Sequence, residues 1–325
     1  MADPLPLTMA VGDYDINRAL IDGTVRPQGT DPRVFVYPSP ERHWRMARDL
    51  EFDVCEFSLG TYLMLHDRGD FPAIAVPAFP HRRFRHGYIY VHADAGIAGP
   101  RDLEGRRVGI RTWQTTAGIW ARGMLADDHG VDLSSIDWVA QDPEDIPLAA
   151  ADRFRMRRAP DGDTVTAMLE RGDLDALIYP ETPAAIVRGD PRVARLFPDP
   201  KAMELDYVAR TGLFPIMHTV IIRTALTDAQ PWLARNVLAA FERSRALGFD
   251  AMRDPRRVSL AWFAEALEEQ RRALGDDPWR YELAANRHAL ETLIRWSHEQ
   301  GLIARPMASE TLFAPTTHEA VPAYV

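Results

Sequence analysis

The densest chemical signal in the chain is Phe79-Pro80-His81-Arg82-Arg83-Phe84-Arg85-His86-Gly87-Tyr88, which sets three guanidiniums and two imidazoles between two apolar runs. Guanidinium forks match carboxylates in both charge and shape, so this segment points to an anionic ligand bearing carboxylate groups. The aromatic residues among the charges predict partial burial for Arg82, Arg85 and His86, which are read as ligand-facing. Arg83 is read as solvated. A second cluster, Arg111-Thr112-Trp113-Gln114-Thr115-Thr116, follows one apolar run and opens a helical pattern. Free backbone N–H groups at a helix start attract anions, which makes Arg111, Thr115 and Thr116 candidates; Thr112 or Thr115 fits ordinary capping as well.

Single residues at the ends of predicted strands complete the set. Glu56 closes the run Phe52-Asp53-Val54-Cys55, where half-burial is expected to raise its pKa and suit proton transfer. Ser58 and Tyr14 stand at similar strand ends and fit either capping or ligand contact. Glu181, in Tyr179-Pro180-Glu181-Thr182-Pro183, reaches the ligand or caps the next helix. His218 arrives on Gly212-Leu213-Phe214-Pro215-Ile216-Met217-His218 as a lone imidazole, suited to act as acid, base or ligand. Two chemistries remain open. In one, His86 or His218 moves a proton while Glu56 orients or deprotonates a hydroxyl; in the other, Glu56, His86 and His218 hold a divalent metal ion. The sequence has no HExxH, no paired cysteines and no Asp-rich loop, so no metal motif supports the second. Phosphate-loop and nucleophile-elbow patterns are absent too.

Positioning these residues requires a scaffold of βα units. Short apolar runs over 6–11, 34–37, 52–56, 74–77, 87–91, 107–110, 136–139 and 174–178 alternate with helical patterns over 40–50, 58–68 and 115–127, as in an α/β protein with mostly parallel sheets. A Gly/Pro-rich stretch over 93–103 reads as a crossing into a second lobe, and the breakers at 211–215 read as the return. That gives one lobe from 1–92 plus 214–325, with helices over 232–252, 260–274 and 287–300, and another from 93–213. Two connections between lobes make a hinged cleft, and the strand-end loops should face it.

The bulk numbers fit a two-lobed globular chain. Its 325 residues exceed what one core usually serves, and 46% of them are hydrophobic. A formal charge of -9 argues against nucleic acid as partner. The lone cysteine, Cys55, permits no internal disulfide. The start, Met1-Ala2-Asp3-Pro4-Leu5-Pro6-Leu7, does not read as a secretory signal, and no apolar run is long enough to span a membrane. A cytoplasmic protein acting on a small molecule is therefore expected; self-association is left open.

Taken together, Gly12-Asp13-Tyr14-Asp15, Phe52–Ser58 with Tyr62, the 77–86 block, Thr116-Ala117 with Trp120, Arg122 and Gly123, the 211–218 block, and Asp277-Pro278-Trp279 with Asn286 and Arg287 closely resemble the 4,5-dihydroxyphthalate decarboxylase family. These anchors cover nearly the whole chain. The resemblance implies a two-lobed type II periplasmic-binding-protein-like fold. It also implies loss of one carboxylate from 4,5-dihydroxyphthalate to give 3,4-dihydroxybenzoate, in phthalate degradation. His81 beside Arg82, and Trp113-Gln114, depart from the pattern where side chains could adjust the pocket. The same fold serves solute-binding proteins, so a non-catalytic receptor or sensor for an aromatic acid or sulfonate is the alternative.

Overall fold

The computed structural model describes residues 3–319. The chain builds β1 (Leu5–Val11), β2 (Thr30–Val36), β3 (Val54–Ser58) and β4 (Ala73–Val76) first. It then crosses to β5 (Ile89–His92), β6 (Arg107–Ile110), β7 (Asp137–Ala140), β8 (Arg155–Arg158), β9 (Ala176–Ile178) and β10 (Val193–Arg195), before returning as β11 (His218–Arg223). Two sheets result, ordered β2-β1-β3-β11-β4 and β10-β5-β9-β6-β7-β8. The expected α/β architecture with two lobes is present.

Both sheets are mixed rather than mostly parallel as expected: β1 pairs in parallel with β2 and β3, and β6 with β7 and β9, with β8 parallel to β7, while the antiparallel members mark the crossings. β11 inserts antiparallel between β3 and β4, while β5 runs antiparallel to both β9 and β10. Strand β5 thus belongs to the second sheet. The outward crossing lies between Val76 and Ile89, ahead of the 92/93 boundary expected from sequence, and the His81–His86 cluster sits on the connection itself.

β3 is covered on both faces and flanked by β1 and β11, which is why its sequence is nearly all apolar. Glu56 and the terminal Ser58 are the exceptions. The Leu59–Arg68 helix starts directly from this strand, capped by Ser58, and ends on Gly69 at φ 77°. In the second lobe the Thr116–His129 helix begins in the same way, capped by Thr115. The Leu283–Glu299 helix, expected to belong to the first lobe alone, packs on both of these helices. Its Trp296 lies against Gly123, where a Cβ would come within 2.1 Å of the indole. Among the described residues no helix is long and apolar enough to cross a membrane.

Candidate active site

Register brings the central residues together. His218 of β11 pairs with Ser58 of β3, so Glu56, two residues back, shares that face as its diagonal neighbour. The Nδ1 of His218 lies 2.6 Å from Glu56 Oε1. Glu56 is wholly buried; its other oxygen accepts from the Gly12 N–H at 2.8 Å and lies 3.4 Å from the Asn17 amide nitrogen. Arg42, equally buried, places Nη2 3.0 Å from Oε1, while its Nε and Nη1 donate to the carbonyls of Glu56 and Tyr37 at 2.8 and 2.6 Å.

The expectation of a raised Glu56 pKa is corrected by this arrangement. Burial does push the carboxyl up, but the Arg42 charge, the His218 hydrogen bond and the Gly12 N–H outweigh it and hold the pKa down to about 2. An ionised carboxylate can only accept, so Nδ1 of His218 carries the proton. Burial depresses the His218 pKa, partly offset by Glu56, so the imidazole rests neutral with Nε2 unprotonated.

Around this dyad stand aromatic and imidazole rings. His81 lies edge-on to His218 with centroids 4.6 Å apart, and His43 does so on another side at 4.8 Å. Tyr14 stacks on His81 at 5.6 Å. Its hydroxyl neighbours Glu56 and Ser39, and burial followed by the Glu56 charge pushes its pKa up, keeping it a neutral donor. Gly12 makes this possible, since a Cβ there would meet the Tyr14 ring within 2.5 Å.

The lobes meet beside the dyad. Ser58 Oγ and Thr116 Oγ1 are 2.9 Å apart, and Thr116 Oγ1 also accepts from the Gly60 N–H at 2.9 Å, so two helix starts face each other across the cleft. Arg85 closes the same region. It is buried, its Nη1 reaches the Pro180 carbonyl of the second lobe at 3.4 Å, its Nη2 lies 2.7 Å from Met217 Sδ, and its Nε has no partner among the described residues. Burial, then the neighbouring Arg83 charge, lowers its pKa to about 10. A buried guanidinium facing a carbonyl and a thioether is a ready seat for a ligand carboxylate.

Other candidates are placed elsewhere. Arg82 turns away from the dyad and gives its donors to the carbonyls of Phe214 and Arg280 and to the Asn286 side chain; it ties the crossing to the C-terminal part. His86 packs edge-on to Phe197 and Tyr207, 3.9 Å from Glu204, and does not join Glu56 and His218. Arg111 pairs with Asp142 at 3.1 Å and lies 3.9 Å from exposed Glu181. Thr115 caps its helix. The amides of Trp113 and Gln114 are already occupied by the Glu144 carboxylate, which removes the expected anion seat in that loop.

These placements correct the metal arrangement. Glu56, His86 and His218 do not meet, the Glu56 oxygens are committed to Arg42, His218 and Gly12, and no group of three or more His, Cys, Asp or Glu suited to a metal occurs among the described residues. The donor set does not fit a metal ion. Sequence reasoning missed Arg42 and His43, which lie on a surface-facing helix; only Arg42 recurring on the same face as Met46 hinted at burial.

Comparison with known proteins adds to this geometry. Residues 18–262 match the family model for the periplasmic substrate-binding protein of phosphonate ABC transporters. A 4,5-dihydroxyphthalate decarboxylase of Comamonas testosteroni is 39% identical over 97% of this chain and 98% of its own length. Another of that name, from Pseudomonas putida, is 39% identical over 62% of this chain and 81% of its own length. Among solved structures, the aliphatic sulphonate binding protein SsuA of Escherichia coli superposes with a TM-score of 0.56 at 14% identity, covering 95% of this chain and 92% of that one. A DszB mutant in complex with biphenyl-2-sulfinic acid gives a TM-score of 0.54 at 13% identity, covering 96% and 97%. At such identity these two establish the fold alone.

Proposed function

The chain belongs to the 4,5-dihydroxyphthalate decarboxylase family, and on that footing we propose that it is a carboxy-lyase converting 4,5-dihydroxyphthalate to 3,4-dihydroxybenzoate and carbon dioxide in phthalate degradation. The observation that carries this reading is the buried His218–Glu56 pair, 2.6 Å apart, beside a buried Arg85 that has no carboxylate partner among the described residues, where the lobes meet. A solute receptor needs the guanidinium; it has no use for a buried imidazole locked by a carboxylate.

The chemistry follows from the substrate. A hydroxyl para to a carboxylate feeds electron density to the carbon bearing that carboxylate. His218, neutral at rest, takes a proton from solvent onto Nε2 and gives it to this carbon. The electrons of the breaking carbon–carbon bond return to the ring, and carbon dioxide departs. His218 is left neutral again, so each turnover consumes one proton. Glu56 holds the imidazole by Nδ1 throughout. Arg85 and the facing helix starts at Ser58 and Thr116 hold the carboxylates, and the Tyr14 and His81 rings flank the aromatic plane. Positioning and fixed charges supply most of the acceleration.

Purified protein incubated with 4,5-dihydroxyphthalate and a chelator should release carbon dioxide. The variant His218→Gln should bind the substrate yet turn over at least roughly a hundredfold more slowly. Binding without carbon dioxide release by the unaltered protein would point instead to a receptor, and full activity in His218→Gln would remove His218 from the reaction.

A further inference from the structure

With His218 as proton donor, one buried charged group beside it has no assigned task. Arg42 is fully enclosed on the Ser39–Asp49 helix. Its fork is fixed by hydrogen bonds to the carbonyls of Glu56 at 2.8 Å and Tyr37 at 2.6 Å, and its Nη2 stands in ion-pair distance of Glu56 Oε1 at 3.0 Å. That last oxygen is the one that accepts from His218 Nδ1 at 2.6 Å. A single carboxylate oxygen therefore serves a permanent cation and an imidazole together.

This sharing has a chemical consequence. A buried carboxylate facing only an imidazole stabilises the imidazolium strongly, because opposite charges attract well where water is excluded. A proton held that tightly is a poor acid, and protonating an aromatic carbon calls for a good one. With a guanidinium on the same oxygen the carboxylate charge is already matched, so it can orient Nδ1–H while adding little to the stability of the cation. We propose that Arg42 is a positioning residue which, by sharing Glu56 Oε1 with His218, fixes the imidazole and keeps its second proton loosely held. This rests on the assignment of His218 as proton donor.

The other groups facing His218 leave that role to Arg42. Among the described residues, Glu56 from β3 is the acidic side chain that pairs with it. His43, from the same helix as Arg42, and His81, from the crossing, lie edge-on to the ring. Arg85, also from the crossing, reaches the adjoining Met217, and Tyr14 sits behind His81. Removing Arg42 leaves Glu56 as the dominant charge on the imidazole, and the direction of the change is fixed: the proton on His218 is held more tightly.

The test is the pH profile of kcat for decarboxylation, with the His218 titration followed by NMR. In Arg42→Gln the kcat plateau at low pH should fall several-fold, because a weaker acid protonates carbon more slowly. Its alkaline limb and the His218 midpoint should both move up by about one pH unit, with KM changed less than about threefold. Arg42→Lys, which keeps the charge and loses the fork, should lower kcat with the limb near its original place. A loss of activity in Arg42→Gln with the limb and midpoint unmoved would overturn the proposal by reducing Arg42 to a structural role. Should Arg42→Gln not fold, Arg42→Lys decides: a lower kcat with the His218 midpoint in place supports the proposal, and a midpoint that moves although the charge is kept overturns it. A protein that releases no carbon dioxide fails the functional reading, and the NMR titration still reports separately on Arg42.

Discussion

Burial without a counter-ion among the described residues sets Arg85 apart from Arg42 and Arg111. Arg42 has Glu56, and Arg111 has Asp142, whereas among the described residues Arg85 hydrogen-bonds a carbonyl and a sulfur and lies over the Tyr88 ring. Enclosing a charge without its counter-ion costs several kcal/mol, and an apolar residue of similar volume often restores stability. Arg85→Met should therefore raise stability by about 1–3 kcal/mol while weakening binding of phthalate, an unreactive dicarboxylate, by roughly a hundredfold. Thermal unfolding and titration calorimetry read the two effects, and a variant that is less stable and still binds would refute them. Glu56 illustrates the opposite situation. Its folded pKa of about 2 lies below the ordinary 4.5, so its contribution to stability is present above 4.5 and is lost as the pH falls towards 2. Residue type, with position at a strand end or a crossing, was enough to name Glu56, His218 and Arg85 among the candidates from sequence. They could not show that Arg82 and His86, in the same cluster, turn to other neighbours, because alternate residues of an irregular crossing face different ways and no periodicity records which.

Two helix starts do most of the joining between lobes, and a glycine governs how close they come. At Gly60 a Cβ would lie 2.6 Å from Ile119 Cδ1, 3.2 Å from Thr116 Oγ1 and 3.3 Å from the Gln114 carbonyl. The isoleucine tip can swing away; the carbonyl belongs to the backbone of the other lobe and cannot without moving its loop. Gly60→Ala should hold the lobes slightly apart, cost about 1–3 kcal/mol of stability and raise KM more than it lowers kcat. Unchanged KM would mean that the contact at Gly60 does not control closure. Strands with apolar runs, such as β1, β3 and β6, were legible, as were the helices at Ser39–Asp49 and Leu59–Arg68. β8 was not, since Arg155-Met156-Arg157-Arg158 is the polar edge of its sheet and carries no hydrophobic signal. β10, three residues long at the other edge, offers too little sequence to read.

At the level of the molecule, the path out to a second sheet and back could be read from the breakers near residues 93–103 and 211–215, with the outward boundary placed too late because β5 alone looks like any other apolar strand. Helical periodicity in the last third showed that one face of the Leu283–Glu299 helix is buried. It could not show against what, and the answer is both lobes at once, through neighbours that include the Thr116–His129 and Leu59–Arg68 helices. Trp296 against Gly123 and the Arg122 side chain on Gln300 Oε1 at 2.8 Å tie this segment to the second lobe. A helix packed on both lobes behaves as a strap near the pivot, so motion that opens the cleft should be greatest at the Ser58–Thr116 junction and least along the strap. Phthalate has the two carboxylates and lacks the hydroxyl that drives decarboxylation, so it should close the cleft and remain intact. Hydrogen exchange with and without it should show slowed exchange at the amides of 59–61 and 116–119 in both lobes, with little change across 283–299. Protection confined to a single lobe would mean that the ligand is held by one face alone, and that the lobes do not close on it.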